Sequence, residues 1–465
     1  MATFSTNYSG ALGDILSQVN SAFSGKTSGI DVGSVVKELM QVEEAPETQL
    51  QSEQSTITSQ VSALTNINTE LTTLADSVNS LNDLNGAMSQ MTSGSSDSTI
   101  VAASANSTAT AGTHTVVVSK LATVSSSYSG YISSGTSLGG TQLVVNYGSD
   151  PNNPVKTDTI NIPASDTTLQ DVASSINGGG YGVTASVVTD SVGSRLVLVS
   201  NTSGAAGNLT VTDSATTFTN SPGVDAQLTV DGVPVDSGSN TLTGAIPGVT
   251  LSLGAADANT PVLISVEPDT SQATTAIQSF VAAYNAVIGS INSQYSLDSN
   301  GNEGVLGGDS MLRSLQSELL NLVSTSNSAG QFVNLQSMGV EFQDDGTLQV
   351  NSSTLSNALS ADYSDVQKFF QATSGWGQNA SKQMQQLTDP TLGPVAADIN
   401  GLQQTSDDLT NQINDFQTSM TEVQQQLTNQ YDSLDALLIQ YPLQIQMASD
   451  QLASLPGSSS TNSNP

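Results

Sequence analysis

The chain has 465 residues, room for two to four domains of ~100–200 residues each. It has no cysteine, which excludes disulfides, thiol catalysis and thiolate metal sites. Its net charge of −33, from 41 acidic and 8 basic side chains, leaves too few cations to neutralise a run of phosphates. Nucleic acid is thereby excluded as a partner, and anionic membrane surfaces are disfavoured. Only 36% of residues are hydrophobic and 4% aromatic, against a usual apolar share of ~45–50%. Small aliphatic cores and coiled coil fit that balance better than one compact enzyme core.

Residues 1–29 are Ser/Gly-rich, weakly patterned, and read as a mobile arm. They lack the basic start, apolar stretch and small-residue cleavage site of a secretory signal. No long apolar run appears in the chain, so no membrane insertion is expected. Asp31 reads as a helix N-cap before Val32, Val35, Val36, Leu39 and Met40. Pro46 interrupts or kinks that pattern. Leu50, Ile57, Leu64, Leu71 and Val78 then recur every seven residues, with Ile67, Leu74, Leu81 and Met88 three residues on. Alternating steps of three and four make a coiled-coil seam.

Near Gly94 the pattern turns to short β-type runs separated by Gly, Asn, Asp and Ser, through about residue 270. These include 115–119 (TVVVS), 143–147 (LVVNY), 183–189 (VTASVVT) and 195–200 (RLVLVS), with a short helix from Leu169 to Ile176. The Asp231-Gly232 pair suits a tight hairpin turn. Helical spacing returns at Ala276, Ile277, Phe280, Val281, Tyr284 and Ile288, and again at Leu312, Leu315, Leu319 and Leu322. A second hairpin is expected between Val340 and Val350. A long final seam runs through Leu402, Leu409, Ile413, Phe416, Met420, Val423, Leu427, Leu434, Tyr441, Ile445, Leu452 and Leu455. Pro442 is expected to kink it, and the tail after Pro456 to be disordered.

Coiled-coil segments thus flank a β-rich middle. Pairing the two ends would bury both seams, and so would pairing with other chains; the pattern allows either. The candidate functional residues are therefore Leu64, Leu71 and Val78 on the first seam and Leu409, Ile413, Phe416, Met420, Val423 and Leu427 on the last.

The chemistry-bearing patterns are poor. Residues 135–139 match G-x-S-x-G around Ser137, but the chain's one histidine, His114, precedes the serine instead of following it. Ser34 and Lys37 match S-x-x-K without the partner motifs a penicillin-recognising site needs. The segment 298–303 resembles a calcium loop with a displaced glycine, and Asp309 stands where a glutamate is required. Paired carboxylates for sugar cleavage have no sequence spacing to find, and aromatics to stack a sugar are few. No catalytic residue, cofactor or metal is expected.

Several segments resemble one family. Residues 28–40 (SGIDVGSVVKELM) with 43–46 (EEAP), and 111–122 (AGTHTVVVSKLA), are similar to flagellar filament-cap proteins, the hook-associated protein 2 family. Residues 168–177 (TLQDVASSIN), 182–188 (GVTASVV) and 195–200 resemble a repeat that flagellins and cap proteins share. The later segments 225–232 (DAQLTVDG), 246–251 (IPGVTL), 280–285 (FVAAYN), 306–310 (LGGDS), 338–340 (MGV), 345–348 (DGTL) and 366–370 (VQKFF) follow the cap pattern in order.

The resemblance implies an α+β, multidomain fold. It has paired N- and C-terminal helices forming a coiled coil, a helical leg domain and inserted β-rich head domains. The implied layout is an arm at 1–29, a helical segment at 30–92, and a head at 93–125 plus 223–270 with an outer head inserted at 126–222. A leg at 271–390, a coiled coil at 391–455 and a tail at 456–465 follow. The implied function is an oligomeric cap at the distal tip of the flagellar filament that guides folding and insertion of flagellin and prevents its loss. Implied partners are further copies in a ring, flagellin, filament-tip and hook–filament junction proteins and an export chaperone, with export by the flagellar apparatus without a cleaved signal. The rival readings are a surface adhesin with a glycan-binding head and a flagellin or junction subunit.

Overall fold

The computed structural model describes residues 31–454 except 134–137, 149, 151–152, 214 and 327–329, together with residues 13 and 17. The expected arm, the tail and Ser137 of the G-x-S-x-G pattern lie outside the described residues, isolated positions 13 and 17 apart.

Helix α1 (Val32–Glu43) starts where Asp31 accepts a hydrogen bond from the Ser34 N–H at 3.2 Å. Glu44 separates it from α2 (Ala45–Asn82), and Pro46 falls in the first turn of α2, where a missing N–H costs little. Ile57, Leu64, Ile67, Leu71, Leu74, Val78 and Leu81 are all buried along α2. Met88, the next of the heptad positions, is buried beyond the helix in the 3-10 turn Ala87–Ser89.

Two β-rich cores follow. The strands are β1 (Met91–Ser95), β2 (Val101–Ala105), β3 (Gly112–Lys120), β4 (Val124–Ser129), β5 (Gln142–Tyr147) and β6 (Lys156–Asn161), then helix α3 (Leu169–Gly178). After it come β7 (Val183–Thr189), β8 (Ser194–Ser203), β9 (Leu209–Asp213), β10 (Phe218–Ser221), β11 (Ala226–Val230), β12 (Val233–Ser237), β13 (Thr241–Ile246), β14 (Val249–Leu253) and β15 (Asp257–Pro268). The sheets β1-β15-β3-β11-β12 and β13-β14-β2 enclose one aliphatic core, with Val116, Val118, Leu228, Leu251, Val262 and Ile264 in it. The chain leaves that core after β3 and returns at β11. In between, sheets β10-β4-β8-β7 and β6-β5-β9 with α3 enclose a second core around Leu143, Val145, Val172, Ile176, Leu196 and Leu198. The Asp231-Gly232 turn joins β11 to β12, with both residues at positive φ (52° and 81°), as a tight hairpin of this kind requires.

The remainder is helical: α4 (Thr270–Tyr295), α5 (Ser310–Ser324), the hairpin β16 (Val340–Phe342) and β17 (Leu348–Val350), α6 (Ser352–Ala361), α7 (Tyr363–Gln371), α8 (Trp376–Leu387) and α9 (Pro394–Ala453). Phe280, Phe369 and Phe370 surround the one tryptophan, Trp376, at ring-centroid distances of 5.3, 5.8 and 5.7 Å. Helix α9 runs unbroken through position 442, so Pro442 does not end it. One proline removes a single backbone bond while the turns on either side keep theirs.

The chain forms two compact units. One comprises 1–75, 283–322 and 382–465, the other 76–282 and 323–381. Helices with strands segregated from them, in several cores, make this an α+β multidomain fold with long helices near both ends.

Candidate functional site: the helical ends

In the unit that holds the ends, α1 packs on α9 and α2 is tied to α9 side by side. The Gln54 amide donates to Thr410 Oγ1 at 2.6 Å, and the Gln417 amide donates to Glu47 Oε1 at 2.6 Å. As one number rises the other falls, so the helices run antiparallel. Further along α2, Ser290 of α4 donates to Glu70 Oε1 at 2.8 Å and Gln60 donates to the Val305 carbonyl at 3.0 Å.

The nine seam residues fall into three groups. Leu64, Leu71 and Val78 are fully buried on α2. Leu409 and Ile413 are buried on α9, in the stretch held by Gln54. Phe416, Met420, Val423 and Leu427 are half-buried. Beyond them the same face of α9 opens to solvent, with Leu434, Leu437, Tyr441, Ile445 and Leu452 exposed, Leu452 by 71%.

The seam period does not include a second apolar face near the end of α9. Ile439, Leu443 and Met447 are also exposed, and at 3.6 residues per turn they lie on the opposite face of the helix. Three apolar residues at steps of four were the available signal. Residues 436–449 carry no charged side chain at all, in a chain of net charge −33. The last turns of α9 are therefore apolar on two faces, which one neighbouring helix cannot cover.

The candidates for chemistry have structural roles. His114 Nδ1 lies 2.7 Å from Asp231 Oδ2, and Asp231 Oδ1 accepts from the Thr115 N–H at 2.8 Å, tying β3 to the hairpin. These bonds, His114 first, hold the Asp231 carboxyl below the usual range. Asp298 turns its carboxylate onto the N–H groups of Asn300 and Asn302 at 2.8 and 2.9 Å, which lower its pKa. Its oxygens are spent within the loop. Lys37 is exposed on α1, and the Ser34 N–H serves the Asp31 cap. Among the described residues no cluster of three or more His, Asp or Glu side chains could hold a metal, and no helix is long and apolar enough to cross a membrane.

Paired helical ends, a distal helix apolar on two faces and aliphatic β cores define a structural assembly protein. The chain belongs to the flagellar hook-associated protein 2 family, the flagellar cap proteins: the family's C-terminal profile matches residues 223–442 and its N-terminal profile residues 28–125. A flagellin hook IN motif matches 143–202, within the second β core. The family is structural and not enzymatic, and its members are flagellar proteins.

Among curated relatives, the chain is 29% identical over 410 residues to the B-type flagellar hook-associated protein 2 of Pseudomonas aeruginosa, covering 78% of this chain and 83% of that one. It is 27% identical to the A-type protein of that species, over 94% and 98%. The Escherichia coli K12 flagellar hook-associated protein 2 is 27% identical over 89% and 94%. The crystal structure of the D1-D2-D3 domains of the Escherichia coli flagellar cap protein FliD superimposes with a TM-score of 0.59 at 26% identity, covering 73% of this chain and 99% of that one.

Proposed function

We propose that this chain is the subunit of an oligomeric cap at the distal end of a bacterial flagellar filament, guiding the folding and insertion of flagellin and preventing its loss. Its partners are further copies in a ring, flagellin, the proteins of the filament tip and hook–filament junction, and an export chaperone. It reaches the tip through the flagellar export apparatus. The heads are the two β cores, bounded at 93–125 plus 223–270 and at 126–222. The helical ends engage the filament and neighbouring subunits.

The observation that carries this reading is the end of α9. A stripe of exposed apolar residues continues the face that Leu409 to Leu427 present, and a second stripe at Ile439, Leu443 and Met447 faces the other way. Exposed apolar surface of this extent marks a protein interface. The absence of charge over 436–449 lets copies of a strongly anionic chain meet there without like-charge repulsion.

The test is negative-stain microscopy of flagella from a strain lacking this gene, with purified protein added back. The expected result is loss of filaments, flagellin free in the medium, and recovery on addition. Protein carrying Ile439→Asp and Leu443→Asp should stay folded by circular dichroism and fail to restore filaments. Normal filaments in the deletion strain would refute the reading.

A further inference from the structure

At the root of α9, Asp398 sits on the second turn with Oδ2 fully buried and no hydrogen-bond donor beside it. The polar group it meets is another carboxyl, Asp309. Asp309 is not free to withdraw. Its Oδ1 accepts from the Met311 N–H at 2.7 Å at the start of α5, and its own N–H donates to the Leu306 carbonyl at 2.9 Å. The loop that carries it is pinned to α4: the Gly304 N–H donates to the Gln294 carbonyl at 2.9 Å, and the Leu306 N–H to Gln294 Oε1 at 3.3 Å. Leu306, Leu312 and Val395 are buried beside these residues in the sequence, so the helix root and the loop are anchored by apolar packing.

A buried carboxylate oxygen without a donor is costly, and two carboxylates in contact repel. One proton placed between them removes both penalties, because the protonated carboxyl becomes a donor to the other. We propose that in acid the Asp398 carboxyl carries a proton, donates it in a hydrogen bond to Asp309, and so forms an acid-closed latch that fixes the root of α9 to the loop before α5. Burial, and then the neighbouring Asp309, hold the Asp398 carboxyl above its ordinary range. The other ionisable groups near this loop meet at Tyr295 of α4, whose hydroxyl has Arg313 of α5 beside it and Asp309 and Glu303 of the loop within electrostatic reach. A group whose folded pKa is raised contributes stability that is full below the unfolded pKa and is lost as pH rises through the folded value. The latch is thus shut in acid and opens as pH rises, freeing the helix whose far end carries the apolar stripes.

The test uses the full chain. Carboxyl NMR of the wild type should show Asp398 titrating above the free-chain value of about 3.9. Amide exchange over 395–402, corrected for intrinsic rates, should be slower in mild acid than at neutral pH, by about tenfold for each pH unit by which the Asp398 pKa is raised. Asp398→Asn keeps a donor toward Asp309 and cannot ionise, so its protection should be equal at both pH values. Asp398 titrating at or below about 3.9, or equal wild-type protection at both, overturns the latch. Should Asp398→Asn fail to fold, the wild-type titration decides alone.

Discussion

Aspartates at the turns take their hydrogen bonds from the chain itself, since few cations are available to them. Asp97 accepts from the Thr99 N–H and hydroxyl at 3.0 and 2.6 Å, Asp345 from those of Thr347 at 2.9 and 2.6 Å, and Asp389 from the N–H groups of Thr391 and Leu392 at 2.8 Å. In each case these bonds hold the carboxyl below its usual pKa. A depressed folded pKa contributes stability that is present above the unfolded value and lost as pH falls through the folded one. The thermal midpoint should therefore stay level as pH falls towards about 4 and drop below it, which calorimetry across a pH series checks. At Trp376 the argument is packing: it is 1% exposed and ringed by three phenylalanines. Trp376→Ala should cost about 3–5 kcal/mol, read from urea unfolding of the unit that holds it. A loss below about 1 kcal/mol would mean the pocket collapses around the void.

Among the elements, the joint between the two β cores is built on glycine. The Thr123 N–H donates to the Val224 carbonyl and the Gly204 N–H to the Thr123 carbonyl, both at 2.9 Å, while Asp225 Oδ1 accepts from the Ala205 N–H at 2.7 Å. Gly204 has φ +78°, and a Cβ there would lie 2.5 Å from both Asp225 Oδ1 and the Gly238 Cα. Gly204→Ala should cost about 1–3 kcal/mol and split one unfolding transition into two. A single unchanged transition would mean that the cores do not unfold together through this joint. The helices and the aliphatic strands were legible because burial leaves a period in the sequence: Leu64 and Leu71 on α2, Leu196 and Leu198 on β8. Strand β4 was not legible, because its buried positions are Ser125, Ser127 and Ser129. Their hydroxyls stand in for apolar packing by bonding the Ser221 carbonyl, Asn220 Oδ1 and the Leu196 N–H, and no hydropathy pattern records that. The Asp309–Asp398 contact was invisible for another reason: the two meet only once α9 is seated. On the helices, Leu64→Ala should cost about 2–5 kcal/mol. Leu437→Ala, at a position 58% exposed, should leave monomer stability within about 0.5 kcal/mol. Urea titrations of both variants make that comparison.

At the scale of the whole molecule, the net charge decides how self-association must respond to salt. Each copy carries −33, so bringing copies together costs repulsion that no excess of lysine or arginine offsets. The surface proposed to attract, by contrast, is the charge-free stretch over 436–449, whose contribution would be apolar burial. Raising ionic strength from about 0.01 M to 1 M shortens the screening length from about 30 Å to 3 Å, which removes most of the repulsion between surfaces and leaves burial intact. Sedimentation of the purified full chain should therefore show association strengthening as sodium chloride is raised. The Ile439→Asp, Leu443→Asp protein should remain monomeric throughout. Association that weakens with salt would place the contacts on ion pairs, and with so few basic residues it would point to the surroundings of Arg195, Arg313 or the few lysines instead of to the end of α9.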